Sequence, residues 1–144
     1  MPQTFQRIRY ADLNARQQES YNFQKASAEL ADFGFVTMRL SDDWRGADFI
    51  AQHIDGIRFL KVQLKGRLTF AKKYEGRAIH VCFPSNGLWF IYPHDELLSQ
   101  VTGISDFSTT DSWRKGGAYS FPRLSKKVKE LLEPYRLQGH GLRQ

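Results

Sequence analysis

The chain has 144 residues, 41% hydrophobic and 14% aromatic, enough for one domain with its own core. That composition excludes a disordered chain or a repeat array, and a single cysteine excludes a disulfide-stapled design. The formal charge of +6 favours polyanionic partners, because Lys and Arg that neutralise phosphates release condensed counterions.

Nucleic acid leads over an anionic membrane surface. The sequence has neither a strongly basic amphipathic helix nor an apolar run long enough to span a bilayer. With Cys82 alone and no apolar stretch in MPQTFQRIRY, a cytoplasmic protein is expected.

The first helix is predicted from about Asp12 to Phe33. Asn14 caps it, Gln17 completes a capping box, and Gly34 sits where a left-handed C-terminal cap belongs. Phe23, Ala26, Ser27, Leu30 and Phe33 fall on one stripe at helical spacing, which marks the core side. A strand follows over Phe35 to Leu40, and Ser41 to Arg45 reads as a polar loop in which Asp42 and Asp43 suit a turn better than a metal.

The stretch Gly46 to Arg67 reads as a β-hairpin around Asp55-Gly56, a pair suited to a tight type I′ turn. Counting outward from Ile54 opposite Ile57 and His53 opposite Arg58 puts Asp48 across from Gln63, with Lys65 on the same side. Phe49, Ala51, Leu60, Val62 and Leu64 share the other side and should be buried. Cross-strand neighbours are close enough for Asp48 and Gln63 to share one small hard cation, which takes oxygen ligands and keeps several waters. The plainer alternative is a solvated polar face.

This pattern resembles the PD-(D/E)xK nuclease superfamily, which includes Holliday-junction resolvases and restriction endonucleases. Asp48 matches the acid of the first strand, and Gln63-Leu64-Lys65 matches the acid-x-Lys triplet in its Gln-x-Lys form. The resemblance implies a restriction-endonuclease-like core and a divalent-metal-dependent endonuclease that hydrolyses DNA phosphodiester bonds. Mg²⁺ or Mn²⁺ would be bound by Asp48, Gln63, the Leu64 carbonyl and an acidic residue of the first helix, for which Glu19 stands in. Glu19 serves equally well as a solvated helix residue. Lys65 would orient or activate the attacking water.

Beyond the hairpin, Lys72 and Lys73 interleave with Phe70 and Tyr74, a pattern that grips a nucleic-acid backbone or makes a solvated connection. Arg67, Lys72, Lys73, Arg114 and Lys115 are the candidate nucleic-acid contacts. Ala78 to Phe83 and Leu88 to Tyr92 read as strands joined by Pro84-Ser85-Asn86-Gly87. His80 and Cys82 share a strand face, but without a second pair they make no zinc site. Pro93 opens a helix from His94 to about Val101, so that His94-Asp95 belongs to a helix start. Thr102 to Arg123 is the least regular stretch, either a contact loop or a meander that tucks Trp113 into the core. Ser125 caps a last helix with Leu124, Val128, Leu131, Leu132 and Tyr135 on its apolar side.

The element order predicts an α/β fold, a mixed sheet flanked by helices, in one domain over residues 1–137 with 138–144 a frayed tail. The expected partner is double-stranded or branched DNA, with no membrane. A homodimer is compatible, since two strands need two active sites. The neutral Gln63 motivates the alternative, a nuclease-fold nucleic-acid-binding or structural module without catalysis.

Overall fold

A capping box opens α1 (Ala15–Ala31): Gln17 N donates to Asn14 Oδ1 at 2.9 Å, and Asn14 N donates to Gln17 Oε1 at 2.9 Å. Gly34, at φ +83, then reverses the chain into β1. The chain is known here from a computed structural model, which describes residues 4–44 and 46–138 and omits the side chains of Asp42, Asp43 and Trp44. Arg45 and the tail expected beyond Gln138 lie outside the described residues, while the backbone of Asp42 and Asp43 is strand and not the expected turn.

The strands are β1 (Phe35–Trp44), β2 (Ala47–His53), β3 (Phe59–Leu64), β4 (Thr69–Ala71), β5 (Ile79–Ser85), β6 (Leu88–Pro93) and β7 (Ala118–Ser120). The later helices are α2 (His94–Thr102), α3 (Asp111–Arg114) and α4 (Lys126–Leu132). The main sheet runs β1-β2-β3-β5-β6, and β4 pairs with β7 in a small second sheet. β3 and β5 are parallel while the other neighbours in the main sheet are antiparallel, so it is the mixed sheet the sequence predicts.

The alternation of side chains gives the sheet two covered faces. On one, Ala26 and Leu30 of α1 pack with Phe49, Ala51, Val62 and Cys82. On the other, Val81, Phe83 and Tyr92 meet Leu97 and Val101 of α2, Val128 and Leu132 of α4, and Phe70 of β4. The second cover stops short of the β1 edge. Val36, Met38 and Phe59, on that side, are 66%, 60% and 64% exposed and leave an open apolar surface.

Buried polar groups fasten β4 to β6 and to the start of α2. The Tyr92 hydroxyl donates to Thr69 O and accepts from Thr69 N at 3.2 Å. Buried His94 accepts from Ala71 N at Nε2, 3.0 Å away, and its Nδ1 lies 2.8 Å from Asp95. His94 is a structural clamp, in keeping with a helix-start role.

Several expectations are corrected. β1 continues through the supposed loop to Trp44, with its ladder to β2 irregular between Arg39 and Trp44. Phe33 is 36% exposed and off the core stripe. Phe70 and Tyr74 are fully buried, so neither is a surface platform for bases. The irregular stretch contains α3 and β7, and Trp113 packs against the core. Gln138 is no frayed residue: its Oε1 accepts from Trp89 N at 2.7 Å.

The hairpin turn also differs from the expected type. The register is as counted, with Phe49 opposite Val62, Ala51 opposite Leu60, and His53 N donating to Arg58 O at 2.8 Å. The turn is not type I′, because Gly56 is at φ +73 but Asp55 is not in the left-handed region, and Ile54 N donates to Gly34 O. Asp55 Oδ1 instead accepts from Ile57 N at 2.8 Å and Arg58 N at 3.0 Å, an Asx-type closure of a longer loop. The two-residue turn with both φ positive is Asn86-Gly87, between β5 and β6.

Those backbone donors, from Arg58 and then Ile57, together with the Arg58 guanidinium hold the Asp55 carboxyl well below its ordinary value. A carboxyl depressed in the folded state contributes stability that is whole above about pH 4, its unfolded value, and fades as pH falls toward the folded one. Asp55→Asn should therefore lower the urea midpoint at pH 7 and narrow its gap from wild type as pH drops below 4. A gap of constant width would exclude the linkage.

Candidate active site

The site arises where β2 parts from β3. In the register that sets Phe49 against Val62, Leu64 would next face Ala47, yet the ladder stops. The Leu64 N–H donates instead to Asp48 Oδ2 at 2.8 Å. On its other side β3 keeps to β5, with Leu64 opposite Cys82 and Lys65 N donating to Cys82 O at 2.9 Å. β2 thus diverges while β3 runs straight, and a side-chain carboxylate replaces a ladder carbonyl.

Gly46 permits this exit. Its φ is +89, and a Cβ there would stand 3.3 Å from the buried Tyr74 ring. The irregular part of β1 lies at the same end. Together these openings form a cavity of about 450 Å³ bordered by Asp48, Gln63, Leu64 and Lys65, and by Glu19 of α1. All five residues expected at the metal and catalytic site line this one concavity. Because it lies where the strands part, residues from both sheet faces reach it.

Gln63 carries the most telling observation. The residue is 8% exposed, and its Oε1 is buried without a hydrogen-bond partner. A buried amide oxygen left unpaired costs about 1–3 kcal/mol, so such an atom in a native interior calls for a partner, a water or a bound ion. A hard divalent cation is a suitable one, being satisfied by a few protein oxygens and several waters. The donors fit that ion: one carboxylate, one amide oxygen and the nearby Leu64 carbonyl, with Glu19 at the rim. No group of three or more His, Cys, Asp or Glu side chains suited to a metal occurs among the described residues. With at most two carboxylates, the donor set suits Mg²⁺ or Mn²⁺ with retained water better than a tightly caged metal.

The cations of the cavity are ordered by packing. The Lys65 ammonium lies 5.9 Å from the centre of the Tyr74 ring, whose face favours positive charge. Arg39 was not singled out from sequence, although its place in β1 opposite Phe49 sends it to the α1 side. It donates to Ser20 Oγ at 3.1 Å, stands 3.8 Å from the Glu19 carboxylate and borders the cavity. The signal that could have found it was its spacing from Phe35 and Thr37, which face the same helix.

The candidate nucleic-acid contacts are not gathered there. Arg67 borders a neighbouring cavity. Lys72 lies over Trp113 at 5.3 Å and Lys73 over Tyr74 at 5.4 Å, while Lys115 pairs with Asp111 at 3.7 Å and Arg114 is exposed. Cys82 is fully buried and its thiol pKa is pushed up by burial, while desolvation lowers that of His80 against the opposing influence of Glu96. Both behave as interior groups.

No family model matches the chain, and no curated protein matches it. Among solved structures, a bacterial homing endonuclease aligns with a TM-score of 0.43 at 17% identity, covering 60% of this chain and 70% of its own. Hjc, a Holliday junction resolvase from the archaeal hyperthermophile Archaeoglobus fulgidus, aligns with a TM-score of 0.39 at 16% identity, covering 51% of this chain and 76% of its own. Likenesses this distant say nothing about which residues react.

Proposed function

We propose that the chain is a divalent-metal-dependent endonuclease of the PD-(D/E)xK type, in Gln-x-Lys form, that hydrolyses DNA phosphodiester bonds. The observation that carries this reading is the orphaned Gln63 Oε1, buried in the cavity that Asp48 and Lys65 also border. Asp48 and Gln63 would hold Mg²⁺ or Mn²⁺, with the Leu64 carbonyl and Glu19 completing the oxygen set. Such an ion supplies Lewis-acid stabilisation of charge on the scissile phosphate and acidifies water. The Leu64 N–H fixes the Asp48 carboxylate in place, so little reorganisation is needed on binding. Lys65 orients the attacking water and offsets charge developing on the phosphate. Arg39, 3.8 Å from the Glu19 carboxylate, adds positive potential on the α1 side.

Incubation with plasmid, linear and branched DNA tests this directly. Cutting should occur with Mg²⁺ or Mn²⁺ and stop with chelator. DNA retention without cutting under either metal would favour the passive nucleic-acid-binding module, for which the neutral Gln63 is the motive. Cutting both strands of a duplex needs two sites, and the open face with Val36, Met38 and Phe59 offers an apolar surface for a second copy. A solution mass twice that of the chain is the expected result; a monomer at every concentration would contradict the homodimer.

A further inference from the structure

The active-site cavity does not end at Lys65. Gly66 borders it and also borders a second cavity of about 370 Å³. Arg67 stands there where the chain leaves β3, Asn86 reaches it from the β5–β6 turn, and Arg123 and Lys129 reach it from beside and within α4. Phe83 and Phe121, both buried, belong to its apolar lining.

Its charge is one-sided. Among the described residues no acidic side chain lines it. Arg67, Arg123 and Lys129 make no ion pair among those residues, whereas Arg39, Arg58, Lys115 and Arg136 each have a carboxylate partner. Three positive side chains around one concavity give it a positive potential that favours an anion. All three side chains are solvent-exposed, so a phosphate meets them without their being stripped of water first.

We propose that this second cavity is a subsite for the DNA strand, where Arg67, Arg123 and Lys129 seat a phosphate flanking the scissile one. The identity of the strand rests on the nuclease reading above; the cavity and its charge do not. Arg123 and Lys129 are thereby assigned a binding role, and Arg67 acts through this cavity.

The test is binding of the full chain to a fluorescein-labelled duplex in chelator, followed by anisotropy across a series of salt concentrations. Arg123→Ala/Lys129→Ala should weaken binding about tenfold or more and reduce the slope of log K against log salt by about 2, near one for each cation removed from a phosphate. Lys126→Ala/Lys127→Ala removes the same charge from α4 outside the cavity and should change affinity less than about twofold. Thermal melts show that each variant is folded, and Arg123→Gln/Lys129→Gln replaces the alanine pair if it melts early. Equal losses from the two lysine-bearing pairs, or an unchanged slope in the first, overturn the subsite.

Cleavage with Mg²⁺ separates this proposal from the one beneath it. Cutting by wild type alongside an unchanged slope in Arg123→Ala/Lys129→Ala removes the subsite and leaves the nuclease. Failure to cut alongside the expected loss of slope removes the nuclease and leaves a strand-binding cavity. Failure of wild type to bind DNA at all overturns both.

Discussion

Lys65→Ala should reduce metal-dependent DNA cleavage at least about 100-fold, within the range that a positioned acid–base group contributes, while DNA affinity stays nearly unchanged. The reason is geometric. Lys65 borders the same cavity as Asp48 and Gln63, and its backbone N–H is already committed to Cys82 O. The side chain is therefore dispensable for the ladder. Many other cations contribute to nucleic-acid affinity, so the loss of one beside the reacting phosphate shows in turnover and not in binding. Lys65→Arg tests position against charge: it keeps the cation but replaces a compact ammonium with a planar fork, and should rescue little activity. Cleavage by Lys65→Ala at the wild-type rate would remove Lys65 from the mechanism.

Gln63→Glu should have opposite effects on the metal-free and metal-loaded protein. Position 63 is 8% exposed, and its amide oxygen accepts nothing. A carboxylate there without a cation carries a desolvation penalty of several kcal/mol, or takes up a proton to avoid it. Burial raises the folded-state pKa of such a carboxyl, so stability of the metal-free variant should be retained at low pH and fall as pH rises past its unfolded value near about 4.3. With Mn²⁺ the added negative charge becomes a ligand. The variant's melting temperature should then rise with metal more steeply than that of wild type, and cutting should begin at lower metal concentration. Equal metal responses of wild type and variant would mean that no ion visits position 63.

The features legible from sequence are those set by local chemistry. Asn14 and Gln17 announced the start of α1, and Ser125 that of α4, because capping uses neighbours three residues apart. The β2–β3 register was also readable, since alternation fixes which residues face α1 and a shift by one residue would bury Asp48 and Gln63 on that face. The register does not depend on the turn type, because the His53–Arg58 pair closes either a tight turn or the longer Asx-closed loop. What the Asp-Gly pair could not reveal was that the Asp55 carboxylate would take the Ile57 and Arg58 N–H groups.

The remainder depends on contacts distant in sequence. Parallel pairing of β3 with β5 requires a crossover, and the three-residue strands β4 and β7 are too short to show a period. The parting of β2 from β3 follows from Gly46 making room for Tyr74 and from Asp48 taking a ladder N–H. Sequence placed Asp48, Gln63 and Lys65 on one side of a hairpin. The cavity itself is a product of that divergence, and so are the inclusion of Arg39 and the link through Gly66 to the second concavity.

The most direct test is anomalous diffraction from crystals of the protein grown with Mn²⁺ and DNA. The account predicts a peak within bonding distance of an Asp48 carboxylate oxygen and of Gln63 Oε1, with Lys65 facing the scissile phosphate. A manganese peak elsewhere, with Gln63 Oε1 still buried and unligated, would contradict it.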